Sequence, residues 1–198
     1  MMATYIAPRE FTVAPPAYNL RLIMLLLFAL PMLLFLIGVF AFRHSHAVPI
    51  QPPNIHTVGL LVLPIAVAFI FTTVLLSWAV PRRRIVLADG VLDITATFYR
   101  RKLPVAAFDL DKALVINLDQ HREWRPLIKT NGLGMPGLHA GWFRSRRLVK
   151  MFCLLTTRDR VLVLPELTGG AMLLSAERPQ ELLQALREMA DGSRRSGY

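Results

Sequence analysis

The distribution of hydrophobic and polar positions divides the chain into two parts. Residues 22–42 and 57–80 form two runs that contain no charged residue. An α-helix over either run is at least about 31 Å long, which matches the hydrocarbon thickness of a bilayer. From residue 85 onward, short apolar runs and alternating stretches are separated by turn residues. This pattern predicts two transmembrane helices followed by a strand-rich domain.

These patterns set the predicted boundaries. The predicted segments are an N-terminal tail at 1–20, a hairpin region at 21–80 with spans at 22–42 and 57–80 and an outer loop at 43–56, a domain at 82–191, and a flexible tail at 192–198.

Basic residues flank the two apolar runs unequally. Two arginines precede the first run, one lies in the loop, and three consecutive arginines follow the second run: Arg9, Arg21, Arg43, Arg82, Arg83 and Arg84. Positive charge accumulates on the cytoplasmic side of membrane proteins, so both termini are predicted to be cytoplasmic. Neither run carries an ionisable side chain, which disfavours a transporter or pump.

The domain shows strand periodicity and one amphipathic helix. Residues 92–98 alternate between apolar and polar side chains, and Asp89-Gly90 predicts a tight turn from a preceding strand at 84–88. Further strands are predicted at residues 113–118, 142–144, 148–157, 161–164 and 171–174. From Pro179, leucines recur on one helical face until Asp191-Gly192. The fold class predicted is α+β, with a barrel or sandwich of about seven strands capped by the C-terminal helix.

Three segments of the domain resemble the bacterial pleckstrin-homology (PH) domain family. They read TNGLGMPGLHAGWFR, VKMFCLLTTRDRVLVLPE and AMLLSAERPQELLQALRE, at residues 130–144, 149–166 and 171–188. The resemblance is to members in which a helical hairpin anchors the domain, and it implies a PH-like barrel in a multi-pass protein of the bacterial inner (plasma) membrane. The family carries no catalytic residues to transfer.

Composition adds a strong positive charge. Lys and Arg number 23 against 13 Asp and Glu, for a net charge of +10, and 54% of the residues are hydrophobic. A basic domain beside a membrane favours binding to anionic lipid over binding to nucleic acid, because no recognition helix or RNA-binding signature accompanies the charge. The single cysteine, Cys153, excludes an internal disulfide.

The candidates for chemistry are weak. The string at residues 132–137 matches G-x-G-x-x-G, but no helix follows it, so we interpret it as a glycine-rich loop. Three histidines of the predicted outer loop, His44, His46 and His56, lack a fourth metal ligand. Cys153 and Ser175 have no evident activating base, and Asp109 and Asp111 are typical of a loop. We therefore predict no enzyme, no cofactor and no metal.

The sequence favours a non-enzymatic, membrane-anchored domain that binds a protein partner or anionic lipid at the cytoplasmic face. The candidate binding residues are basic and form two clusters: Arg82, Arg83 and Arg84, and Arg144, Arg146, Arg147 and Lys150. The alternative is an accessory subunit of a membrane transport or envelope complex in which the helical hairpin is the functional part.

Overall fold

The computed structural model separates the chain into two compact units. It describes residues 8–16, 19–44, 55–79 and 82–196, with the side chains of the first two helices described only in part. One unit contains helices α1 (Leu20–His44) and α2 (Ile55–Ala79). The other contains all the strands assigned in the described residues and helix α3 (Pro179–Ser196).

Helices α1 and α2 contact each other over part of their length. Each runs for 25 residues and carries one internal proline, Pro31 or Pro64. Apolar side chains on both helices are exposed, such as Leu34 at 60% and Phe71 at 66%. The residues predicted to form the outer loop lie mostly outside the described part of the chain.

The structure contradicts the predicted membrane topology. A membrane crossing needs a helix of about 20 predominantly apolar residues. Across the described residues, no helix combines the length and the apolar character that a crossing requires. The transmembrane spans at 22–42 and 57–80, and with them the multi-pass inner-membrane location, are therefore corrected. The two segments remain helical, as α1 and α2.

The first sheet has four antiparallel strands in the order β1-β2-β3-β4. They are β1 (Arg9–Phe11), β2 (Arg83–Ala88), β3 (Val91–Ala96) and β4 (Tyr99–Pro104). Alternation along β2 and β3 buries one face, because Ile85 pairs with Ile94 and Leu87 with Leu92, and all four are 0% exposed. Asp89 and Gly90 join these strands with φ angles of 49° and 72°, as the hairpin turn requires.

Strand β1 lies in the segment predicted to be an N-terminal tail. It pairs with β2, and Val13 makes a further bridge to Ala176. The hydroxyl of Thr156 donates to the carbonyl oxygen of Ala14 at 2.6 Å. The strand-rich unit is thus discontinuous in sequence, with α1 and α2 inserted between β1 and β2.

The second sheet has six strands in the order β5-β9-β10-β8-β7-β6. They are β5 (Leu114–Ile116), β6 (Pro126–Met135), β7 (Leu138–Ser145), β8 (Lys150–Leu155), β9 (Val161–Pro165) and β10 (Ala171–Leu174). Strand β10 lies between β8 and β9 and is parallel to β8. The described residues therefore form ten strands in two sheets, which corrects the predicted fold of about seven strands behind a membrane hairpin.

The central strands of this sheet are buried on both faces. One face carries Met151, Cys153, Val163 and Leu173 in a single core cluster. Nearly every residue of β8, β9 and β10 is buried, which explains why their sequences are continuous apolar runs rather than alternating ones.

Glycines permit the pairing of β6 with β7. Gly132 and Gly141 are partners in the ladder, and Gly134 pairs with His139. A Cβ at Gly132 would lie 2.8 Å from the carbonyl oxygen of Ala140 and 3.1 Å from the ring of Phe143. The G-x-G-x-x-G string is therefore largely a strand that accommodates an aromatic ring, not the loop that the sequence suggested.

Helix α3 packs one apolar face on the strand-rich unit. Leu182 and Leu186 are 0% exposed, while Glu181 and Glu188 face solvent. The helix begins at Pro179 and continues to Ser196, past the predicted end near Asp191-Gly192. One glycine did not end this helix, because a glycine in a helix interior costs only about 1 kcal/mol relative to alanine.

Replacing Gly141 with alanine should destabilise the fold by about 2–4 kcal/mol. Gly141 has a φ of +109°, and its Cβ would lie 2.7 Å from the carbonyl oxygen of Asn131. Urea unfolding followed by tryptophan fluorescence measures the loss.

The matched control is Gly192→Ala in α3, where a Cβ meets no atom within 4 Å. This change should be neutral or stabilising by up to about 1 kcal/mol, because alanine is the better helix former. Equal effects of the two substitutions would contradict the proposed close approach at Gly141.

Candidate functional site

The two clusters of predicted binding residues lie on different sheets. Arg83 and Arg84 belong to β2 in the first sheet, and Arg82 directly precedes them. Arg144 is the penultimate residue of β7 and Lys150 is the first of β8, with Arg146 and Arg147 in the turn between. We call residues 144–150 the basic turn.

The arginines at the start of β2 support the first sheet. Arg84 donates from Nε and Nη2 to the carboxylate of Glu10 on β1, at 2.7 and 2.9 Å. The carbonyl oxygen of Arg82 accepts the N–H of Thr97 at 2.8 Å. Arg83 is half-buried, and burial lowers the pKa of its guanidinium. Within the described residues, Nη1 of Arg83 and the hydroxyl of Thr97 are buried without a hydrogen-bond partner.

Backbone hydrogen bonds fix the basic turn. The N–H of Leu148 donates to the carbonyl oxygen of Ser145 at 2.9 Å, and the N–H of Ser145 donates to that of Val149 at 3.0 Å. The buried hydroxyl of Ser145 accepts the N–H of Arg147 at 3.2 Å. This is a three-residue hairpin loop whose last residue, Leu148, has a φ of +61°. The backbone that presents the cations is therefore well defined.

The cations of the basic turn lack carboxylate partners. Arg144, Arg146, Arg147 and Lys150 are exposed, and no ion pair among the described residues includes any of them. Arg100 and Arg158, by contrast, pair with Asp93 and Asp119.

One carboxyl group responds to the turn's charge. The pKa of Glu123 is lowered, chiefly by a hydrogen bond from its own backbone N–H, then by His121, with a smaller contribution from Arg147. Arg147 therefore attracts Glu123 only weakly, and no ion pair between them occurs among the described residues.

An aromatic side chain connects the basic turn to the interface of the two sheets. Nζ of Lys150 lies 4.5 Å from the ring centroid of Trp142, and Cζ of Arg101 lies 4.4 Å from the same centroid. Arg101, on β4, donates to both oxygens of Glu166 at 2.6 and 2.8 Å. Their side chains are only 17% and 6% exposed. Cation–π contacts thus link the position of Lys150 to a buried ion pair.

Exposed apolar side chains also border the basic turn, and sequence reasoning missed them. Ile128 pairs with Arg144, which pairs with Lys150, so the three share one row across β6, β7 and β8. Leu127, Ile128 and Leu148 are 67%, 45% and 60% exposed. The sequence pattern predicts a strand that begins at Leu148, and it predicts no strand over residues 126–131. The nearest sequence signal is an apolar residue within the basic string RSRRLVK.

The residues considered for catalysis are buried, hydrogen-bonded or ion-paired within the fold. Cys153 is fully buried, and burial raises the pKa of its thiol, which suppresses the thiolate form. The buried hydroxyl of Ser175 accepts the N–H of Thr156 at 3.2 Å, and Asp109 pairs with Lys112 at 2.6 Å. The described part of the chain contains no group of three or more potential metal ligands. Of the three histidines of the predicted outer loop, His46 lies outside the described residues.

Arg101→Met should destabilise the protein by about 3–5 kcal/mol, because it leaves the carboxylate of Glu166 buried and unpaired. Adding Glu166→Leu should recover most of that loss, since both charges are then absent. Urea unfolding of the two variants and the double variant measures this coupling.

The exposed pair of Arg100 with Asp93 provides the comparison, and Arg100→Met should change stability much less than Arg101→Met does, because solvent screens an exposed pair. The interpretation fails if Arg101→Met and Arg100→Met have the same effect.

His139 should make stability fall as the pH falls. Its pKa is lowered by burial and by the positive charges of Arg158 and Arg125. Below the ordinary pKa of 6.5 the unfolded chain binds a proton that the folded chain resists. Urea midpoints at about pH 7.5 and about pH 5.5 should differ more for the natural chain than for His139→Gln. If the two urea midpoints differ as much in His139→Gln as in the natural chain, other groups cause the loss of stability at low pH.

No protein-family model, curated protein or solved structure matches this chain. The resemblance to bacterial PH domains therefore stays a prediction.

Proposed function

We propose that the strand-rich unit is a non-enzymatic binding domain whose basic turn binds an anionic lipid surface. The observation that carries the proposal is the set of four exposed cations on one hydrogen-bonded turn, with no ion pair to them within the described residues. Cations that form no internal ion pair keep their charge for an external anion.

The arrangement suits a surface better than a single small anion. The four cations extend along a turn and onto the ends of two strands, so they present several charges side by side. Lysine and arginine side chains near an anionic leaflet each add to the attraction, which makes binding additive and sensitive to salt. No enclosed pocket is needed for this mode of binding.

The start of β2 has a smaller part in this proposal than the sequence suggested. Arg84 is committed to Glu10, and Arg83 is half-buried. We therefore assign binding to Arg144, Arg146, Arg147 and Lys150 and a mainly structural role to Arg83 and Arg84.

The test is sedimentation of the full chain with phosphatidylcholine vesicles, with and without about one third phosphatidylglycerol. The natural chain should bind the anionic vesicles at least about tenfold more tightly, and added salt should weaken this preference. The double variant Arg146→Gln and Arg147→Gln should lose most of the preference.

The matched control is the double variant Lys112→Gln and Arg178→Gln, which removes the same charge from two exposed cations that already have carboxylate partners. It should keep the preference. Equal losses in both double variants would reduce the effect to net charge, and equal binding to neutral vesicles would overturn the proposal. Inorganic phosphate that abolishes binding, at an ionic strength where sodium chloride does not, would instead indicate a site for a free anion.

A further inference from the structure

Leu148 occupies a backbone conformation that disfavours it. Its φ of +61° lies in the left-handed region, where glycine is the usual residue at the end of a three-residue hairpin loop. A leucine held there is strained by its Cβ. Its side chain is 60% exposed, so burial offsets little of that strain. Strain of this kind, retained without a compensating core contact, points to a function for the side chain.

Two more exposed apolar side chains lie on the edge strand beside the basic turn. Strand β6 ends the second sheet, and its pairing with β7 is irregular between Pro126 and Ile128. Leu127 lies at this irregularity, and the next residue, Ile128, pairs with Arg144. Exposed sheet edges are normally protected by charged side chains, so two consecutive apolar ones at this position are unusual.

We call Leu127, Ile128 and Leu148 the apolar ledge. The apolar ledge borders the cations of the basic turn in two ways. Ile128 shares a row with Arg144 and Lys150, and Leu148 belongs to the loop itself. Apolar side chains surrounded by Lys and Arg are typical of elements that rest in a membrane interface, with apolar groups below the headgroups and cations at their level. The surrounding positive charge is complementary to an anionic leaflet, which selects the bilayer as the occupant.

Resting on the proposed function, we infer that the apolar ledge inserts into the acyl region of the anionic bilayer that the basic turn binds. Insertion adds apolar burial to charge attraction, so it makes part of the binding resistant to salt. It also explains why a leucine stands where glycine would relieve the strain.

The first test uses Leu148→Gly, for which stability and binding should change in opposite directions. The variant relieves the backbone strain, so its thermal midpoint should stay the same or rise. Its affinity for the anionic vesicles should fall at least about threefold, and the salt-resistant part of the binding should shrink. Leu167→Ser is the matched control, because Leu167 is also exposed, at 68%, but lies in the connection between β9 and β10. This variant should bind as the natural chain does.

The second test reports depth directly. Cys153, the one cysteine of the sequence, is buried, so Leu148→Cys provides a second, exposed thiol for an environment-sensitive fluorophore. On anionic vesicles this label should shift to the blue and be quenched by lipids brominated in their acyl chains. A label at Leu167→Cys should do neither.

The outcomes separate the two proposals. If Arg146→Gln with Arg147→Gln abolishes binding while Leu148→Gly binds normally and its label escapes quenching, the basic turn stands and insertion is overturned. If the natural chain shows no preference for anionic vesicles, the proposed function fails first. Quenching at Leu148 that disappears in Arg146→Gln with Arg147→Gln supports both. A label at Leu148 that responds to a protein partner and to no vesicle would overturn insertion in favour of a protein interface.

Discussion

The buried ion pair between Arg101 and Glu166 joins the two sheets. Arg101 comes from the first sheet, and Glu166 directly follows β9 of the second. Each side chain is largely removed from water, so neither charge is tolerable there without the other. Strand β4 is therefore held where the guanidinium of Arg101 lies close to both Glu166 and Trp142. Such a pair contributes little net stability compared with an apolar contact, but loss of either charge would leave the other buried and unpaired.

Trp142 connects the basic turn to this ion pair. Trp142 lies close to both Arg101 and Lys150, and its ring packs edge-on against Phe152 at 5.3 Å between centroids. Strands β7 and β8 enter the core on either side of the turn, so the loop is anchored at both ends. A rigid frame of this kind can hold one residue in a strained conformation, because the surrounding hydrogen bonds over-determine it. The apolar ledge and the cations are thus presented together on a fixed support.

Sequence patterns predicted the regular parts of this unit and missed the parts set by distant contacts. Alternation located β2 and β3, and continuous apolar runs located β8, β9 and β10, since burial imposes those patterns. The three residues of β1 are too few for any periodicity to appear. The sequence pattern did not predict β6, because Gly132 and Gly134 are uncommon in strands. Glycine is favoured there because the ring of Phe143 on the neighbouring strand lies close to both positions. Apolar content alone predicted membrane spans, and the described residues do not support them.

The candidate site shows the same division between local and distant information. The sequence reveals that seven basic residues form two clusters, but charge counting gives both clusters equal weight. Only the fold brings Glu10 to Arg84, seventy-four positions away, and leaves the basic turn without such a partner among the described residues. The fold also places Ile128 in the row of Arg144 and turns Leu148 outward. Partner assignment therefore separates an arginine that stabilises a sheet from one that remains available to a ligand, and that assignment depends on contacts that a single sequence does not contain.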